Sequence, residues 1–336
     1  MIHTFKLFFP LHYEEVQDLQ RKLNIKYTQL NEYFEGVFPG VTMSVSNSGN
    51  GKWKLYMVVD AIKLLGDKAD ITEADYAPLE KALKSILWNV VGHSSHYKNH
   101  TLLRIDFRYD VLMKDKIHRM LLMDLYKKLT KSHKFQKKYL GKLENGVFVP
   151  YETTVYHSSK SVESMVYLKE EERIDKGERI ESYEKDIVRY EVHLKENHLY
   201  YMEKKNEKVQ RPRKLREYMR DGVFKEYFGR YMFQIYHPGD FYKIDEARKR
   251  LKDSHLSTKN KLKLIDYLKQ VSSHSVDTPL KNKSNNINGN KKMSKGTIKS
   301  RLTMLREVGI NPILIPKNYS PKAPSYMNNP LSDFPW

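Results

Sequence analysis

The chain has 336 residues, and its 60 lysines and arginines against 41 aspartates and glutamates give a formal charge of +19, a surplus that points to a phosphate polymer or an anionic surface. Cysteine is absent, which excludes a disulfide framework, a thiolate nucleophile and cysteine-ligated zinc or iron–sulfur centres. No run approaches the roughly 18 apolar residues of a membrane span, and the N-terminus has no secretory pattern, so a soluble cytoplasmic protein with no membrane partner is expected. The 24 tyrosines among so many cations suit stacking on unpaired bases and turn the charge argument towards nucleic acid.

Along the chain, "IHTFKLFFP" alternates as a strand ending at Pro10, and "YEEVQDLQRKL" sets Val16, Leu19 and Leu23 at helical spacing. A turn in "SNSGNG" precedes a strand-like stretch from Gly51 to Gly66. Thr72, three residues before Asp75, opens a helix that aligns Tyr76, Leu79, Leu83, Ile86, Leu87 and Val90. His93 and His96 in "GHSSHY" are read as belonging to a solvated loop rather than a zinc site, because no alternating apolar strand surrounds them. "TLLRIDFRYDVLM" reads as a strand, and Lys116 to about Tyr139 as one basic helix. Two more strands are expected, from Ser161 to Lys169 and in "DIVRYEVHLKE".

Beyond residue 205 the chain reads as successive basic helices without a strand. Ser272 to Gly296 is poor in apolar residues and reads as a flexible linker, a last helix ends at Gly309 as a left-handed cap, and the Pro-rich tail is expected to lack regular structure. The expected fold is α+β, a mostly antiparallel central sheet flanked by helices and followed by a basic helical C-terminal region. The expected divisions are a catalytic domain over residues 1–205, a basic helical DNA-recognition region over 206–271, a linker over 272–296 and a C-terminal helix and tail over 297–336.

Strand parity selects the candidate site. Ile105, Phe107, Tyr109 and Val111 share one face of their strand and leave Arg104, Asp106, Arg108 and Asp110 on the other. Val188, Tyr190, Val192 and Leu194 likewise leave Arg189, Glu191, His193 and Lys195 opposite, and Glu163, Met165, Tyr167 and Lys169 share a face in the third strand. If the three strands are neighbours, one face gathers the acids, cations, imidazole and phenol that metal-assisted chemistry on a phosphate needs. Separately, each strand reads as an ordinary solvated face with surface ion pairs.

"MIHTFKLFFP", "TVYHSSKSVESMVYLKEEE", "VRYEVHLK" and "TIKSRLTMLREVGI" resemble, in order, landmarks of the gene II/X replication initiators of filamentous phages and related plasmids. They also look like the trans-acting initiators of rolling-circle plasmids. The resemblance implies an endonuclease that nicks one DNA strand at an origin, keeps the 5′ end on a tyrosine and later rejoins the strand. Carried over by motif, Tyr167 is the nucleophile with Lys169 beside it, Arg104 and Arg189 steady phosphate oxygens, and Asp106, Asp110 and Glu191 hold Mg²⁺ or Mn²⁺. His3 stands where the family commonly has aspartate, and Ser158 where glycine is common. Tyr156 is the rival nucleophile, or a stacking or core tyrosine, and His193 is either a further ligand or a surface histidine. The implied partners are double- and single-stranded origin DNA, a host helicase and a single-strand-binding protein, with a homodimer left open. A conjugative relaxase with the same chemistry, or a DNA-binding regulator without enzymatic activity, are the alternatives.

Overall fold

The apolar alternation at the N-terminus becomes strand β1 (Ile2–Leu11), in which Phe5, Leu7 and Phe9 are fully buried. This computed structural model describes residues 1–336 except 50, 67, 130, 133–134, 207, 273–275, 277–278, 280–291, 321–322 and 336. Strands β2 (Val41–Asn47), β3 (Trp53–Asp60) and β4 (Thr101–Leu112) come next, then β5 (Lys131–Ser132), β6 (Phe135–Lys138), β7 (Gly141–Glu144) and β8 (Val147–Pro150). They are followed by β9 (Thr154–Ser158), β10 (Val162–Leu168) and β11 (Ile187–Leu194), and by the short β12 (Phe241–Tyr242) and β13 (Tyr326–Met327). The architecture is α+β as expected, a large antiparallel sheet with flanking helices and a helical C-terminal region.

Two compact units divide the chain. The first comprises Met1–Tyr109, Lys160–Glu163 and Glu191–Phe228. Its strands run in the order β2-β3-β1-β4-β11. β1 pairs Leu7 with Met57 of β3 on one side and Lys6 with Arg104 of β4 on the other, with register irregularities between Ile2 and Phe5 and between Lys6 and Leu7. The helix Tyr76–Val91 forms where the pattern predicts it: Asp75 accepts from the Thr72 N–H, Leu79, Leu83, Ile86, Leu87 and Val90 are buried, and Gly92 closes it at φ 83°. Leu215, Tyr218, Tyr227 and Phe228 belong to this unit and are fully buried, Leu215 and Phe228 each stabilising it by roughly 1.5–3 kcal/mol through removal of apolar surface from water.

One histidine of this unit links its packing to pH. His100 is buried, Nδ1 donating to the Tyr97 carbonyl at 2.5 Å and Nε2 accepting the Leu215 N–H at 3.0 Å, so the ring is neutral. Burial pulls its pKa down to about 4. An unfolded chain takes up this proton near pH 6.5 and the folded one only near 4, so stability should fall as pH drops through that window, by up to about 3 kcal/mol. Urea unfolding at pH 7 and pH 4.5 measures this, and His100→Gln should flatten the dependence.

The second unit comprises Asp110–Ser159, Ser164–Tyr190 and Gly229–Trp336, with strand order β11-β10-β9-β6-β5. Here the single basic helix expected over 116–139 ends at Lys127. The short strands β5 and β6 occupy its expected second half, and further on Asn145 and Gly146, at φ 51° and 79°, turn β7 back onto β8 in a two-residue hairpin. The C-terminal tail, expected to be irregular, contributes β13, which pairs with β12, and buries Met327, Leu331 and Phe334. Gly309 takes the left-handed conformation at φ 71° just beyond the helix Lys295–Glu307, as its position predicts. The expected linker over 272–296 lies mostly outside the described residues.

Candidate functional site

Strand β11 departs from the expectation of one wet face, because all eight of its residues are buried. Arg189, Glu191 and His193 are 1%, 4% and 4% exposed. Charges so deeply placed persist only when paired or hydrogen-bonded, which removes the reading of these side chains as a solvated surface. Each unit pairs its own set.

In the first unit Arg104 and Asp106 of β4 meet Glu191 and His193 of β11. Arg104 Nε donates to Asp106 Oδ1 at 2.7 Å. Glu191 stands between two imidazoles, its Oε2 3.0 Å from His193 Nε2 and its Oε1 3.4 Å from His3 Nδ1. On the far side of the His193 ring, Nδ1 lies 3.5 Å from Glu163 Oε2, and Lys195 Nζ donates to Glu163 Oε1 at 2.8 Å. Burial alone would lower the His193 pKa, but the Asp106 carboxylate and the hydrogen bonds to Glu163 and Glu191 push it up to about 10. Burial would also raise Glu191, yet hydrogen bonds from His193 and His3 hold it well below the usual carboxylate range. Arg104 Nη2 also lies 3.2 Å from His193 Nδ1, within hydrogen-bond reach.

Asp106 and Glu191 thus place carboxylates beside the imidazoles of His3 and His193, each tied to a neighbour by hydrogen bond or ion pair; among the described residues, the side chains whose donor atoms gather closely enough for a metal ion are Glu15, His93 and His96. Of the residues expected to hold the metal, Asp106 and Glu191 lie in this cluster. His3 and Glu163 join them from β1 and β10. Parity had put Glu163 on the polar face, but the place of His3 follows from the β1–β4 pairing, a contact about a hundred residues apart that no local pattern encodes.

In the second unit Asp110 accepts two hydrogen bonds from Arg189, Nε to Oδ1 and Nη2 to Oδ2, each at 2.8 Å. This fork leaves Arg189 buried against a carboxylate. Tyr167 lies in β10 and is 7% exposed, while Tyr156 of β9 is half-buried. Lys169 does not continue the strand. It opens the helix Lys169–Lys176, is 4% exposed, and donates to Glu172 Oε2 at 2.6 Å with Glu184 Oε1 at 3.6 Å. Burial lowers its pKa.

His93 and His96 require a correction. The loop after the helix Tyr76–Val91 is not simply solvated: His96 is buried, and both rings converge on Glu15 in the first turn of the helix Tyr13–Leu23. Glu15 lies 78 residues before His93, so spacing within "GHSSHY" could not reveal it. Nearby in the same unit, a cleft of about 570 Å³ is lined by Tyr76, Tyr97, Lys84, Lys98, Lys214 and Arg216 among others. The carboxylates of Glu80 and Glu217 line it as well, Glu80 paired with Lys84.

No protein-family model and no curated protein matches this chain. Among solved structures, a rolling circle replication initiator protein from Geobacillus stearothermophilus is similar over 60% of this chain and 76% of its own, at 10% sequence identity and a TM-score of 0.30. A likeness that distant carries no argument about activity. Among the described residues no helix is long and apolar enough to cross a membrane.

Proposed function

We propose that this chain is a rolling-circle replication initiator that nicks and rejoins one DNA strand at an origin through a phosphotyrosine intermediate. The observation that supports this reading is the His3–Glu191–His193 chain beside Arg104 and Asp106, in which Asp106, Glu191 and His193 are buried charges costly to keep and the two carboxylates could hold a divalent cation. The formal charge of +19 and the order of the sequence motifs support it. Mg²⁺ or Mn²⁺, when bound, would polarise the scissile phosphate.

Tyr167 is the proposed nucleophile. Its phenolic oxygen forms a bond to phosphorus, the bond from phosphorus to the 3′ oxygen breaks, and the proton lost by the phenol is matched by one gained on the departing 3′ hydroxyl. One phosphodiester replaces another, so rejoining needs no nucleotide triphosphate. Arg104 is proposed to steady a phosphate oxygen, since its side chain is 44% exposed while its partner Asp106 is 3% exposed. Lys169 assisting the Tyr167 phenol, Arg189 steadying a phosphate oxygen and Asp110 as a further metal ligand are proposed on the resemblance alone. A host helicase, a single-strand-binding protein and a homodimer belong to the same proposal and rest on the resemblance alone.

The deciding experiment incubates the chain with a randomised pool of single-stranded DNA and Mg²⁺, then recovers DNA that stays attached after denaturation. A recurrent sequence joined through its 5′ end supports the reading; binding without an adduct supports a DNA-binding regulator instead. The full internal pairing of Asp110, Arg189 and Lys169 favours that second reading. Asp106→Asn and Glu191→Gln should each lower nicking on the order of 100-fold or more, with partial recovery at raised Mg²⁺ or Mn²⁺, because a bound ion contributes several kcal/mol of charge stabilisation. Unchanged nicking in excess EDTA would remove the metal from the mechanism.

A further inference from the structure

Three side chains in the first unit form a second donor group that the proposed nicking chemistry does not use. His93 Nε2 and His96 Nε2 lie 2.8 and 2.6 Å from the same oxygen, Glu15 Oε1, and the three donor atoms lie within 4.8 Å of one another. The two rings are 4.8 Å apart. Glu15 is held from behind: its other oxygen accepts the His12 N–H at 2.6 Å. His93 is held from behind too, its Nδ1 being 2.8 Å from Ser95 Oγ. When that nitrogen donates to the serine, the Nε2 lone pair turns towards the carboxylate, and a cation between them is what the electrostatics call for. Outer hydrogen bonds of this kind accompany metal-bound histidine and carboxylate, fixing the tautomer and aim of the ligand atom.

We propose that Glu15, His93 and His96 form a zinc site with two imidazole nitrogens, one carboxylate oxygen and an open fourth position. The ligand chemistry selects the ion, since imidazole favours Zn²⁺ over Mg²⁺ and three protein ligands with one free position make a common tetrahedral zinc arrangement. Ligand atoms about 2.0–2.2 Å from a tetrahedral ion stand about 3.4 Å apart, so the group accepts zinc through small side-chain shifts. His96 is on the buried side, while the His93 side chain is 39% exposed, which leaves a path for the ion and room for a water in the fourth position.

The place of the site in the fold defines what the ion would do. It would clamp the first turn of the helix Tyr13–Leu23 to the segment 93–100. That segment holds the chain ahead of Leu215, with Lys214 Nζ donating to the Lys98 and His100 carbonyls at 2.9 and 2.7 Å. Lys98, His100 and Lys214 also line the cationic cleft, so zinc would stiffen one wall of it.

The test uses the full chain stripped with EDTA and dialysed, then titrated with CoCl₂, ZnCl₂ or MgCl₂. Co²⁺ should develop the strong visible absorption of a tetrahedral complex, Zn²⁺ should displace it, and Mg²⁺ should do neither. Zinc should also raise the thermal midpoint of the wild type. His96→Gln and Glu15→Gln should remove one ion per chain, weakening binding at least about 100-fold, whereas Glu191→Gln in the other cluster should leave the Co²⁺ spectrum intact. His93→Gln, at the more exposed ligand, gives the same reading if the buried variants fail to fold. A folded wild type without a tetrahedral Co²⁺ band, or a band unaltered in His93→Gln, would overturn the assignment.

Discussion

Tyr167→Phe is expected to lower strand nicking at least about a thousandfold and to abolish the denaturation-resistant DNA adduct, because it removes only the oxygen proposed to bond to phosphorus. Phenylalanine fills nearly the same volume in β10, where Tyr167 is 7% exposed, so the variant should fold and keep its affinity for DNA. Gel analysis of end-labelled DNA after denaturation reads the first outcome, and a mobility-shift titration reads the second. An adduct that persists in Tyr167→Phe and vanishes in Tyr156→Phe would transfer the role to β9.

Arg189→Ala should cost about 3–5 kcal/mol in urea unfolding, since it removes a buried guanidinium and both of the 2.8 Å hydrogen bonds it gives to Asp110. Replacing both partners together, as Arg189→Met with Asp110→Leu, should recover most of that loss because no unpaired charge is left behind. Stability thus separates a structural fork from a phosphate contact. If Arg189→Ala unfolds like the wild type and only nicking suffers, the guanidinium serves the DNA and the ion pair contributes little.

Local pattern carried the elements whose apolar period and cap agree. The helix Tyr76–Val91 has both, and β1, β4 and β11 were each located by alternation. What alternation could not say is how much covers the other face: Glu191 and His193 have the period of a wet face and yet are buried. Lys169 shows a different limit, since counting by twos assumes that the strand continues, and here a helix begins at that residue. The expected helix over 116–139 was too long because its lysines continue a basic pattern past Lys127, where the short strands β5 and β6 take over. Glu15, His3 and Glu163 reach their partners through strand pairing and loop docking across long stretches of sequence, where spacing carries no information.

The order of strands in the first unit also sets a schedule for the newborn chain. β4 lies between β1 and β11, so its first partner precedes it while the second is made only after residues 113–186. At about 5–20 residues per second, the ribosome leaves that edge of β4 without its partner for several seconds. A bare edge carrying Leu102, Ile105 and Phe107 invites pairing with another chain, and charges set among the apolar positions are a recognised deterrent. Arg104, Asp106 and Arg108 occupy those places. The side chains that furnish the candidate site would therefore act first as guards against misassociation, before the strand that completes their cluster has been synthesised.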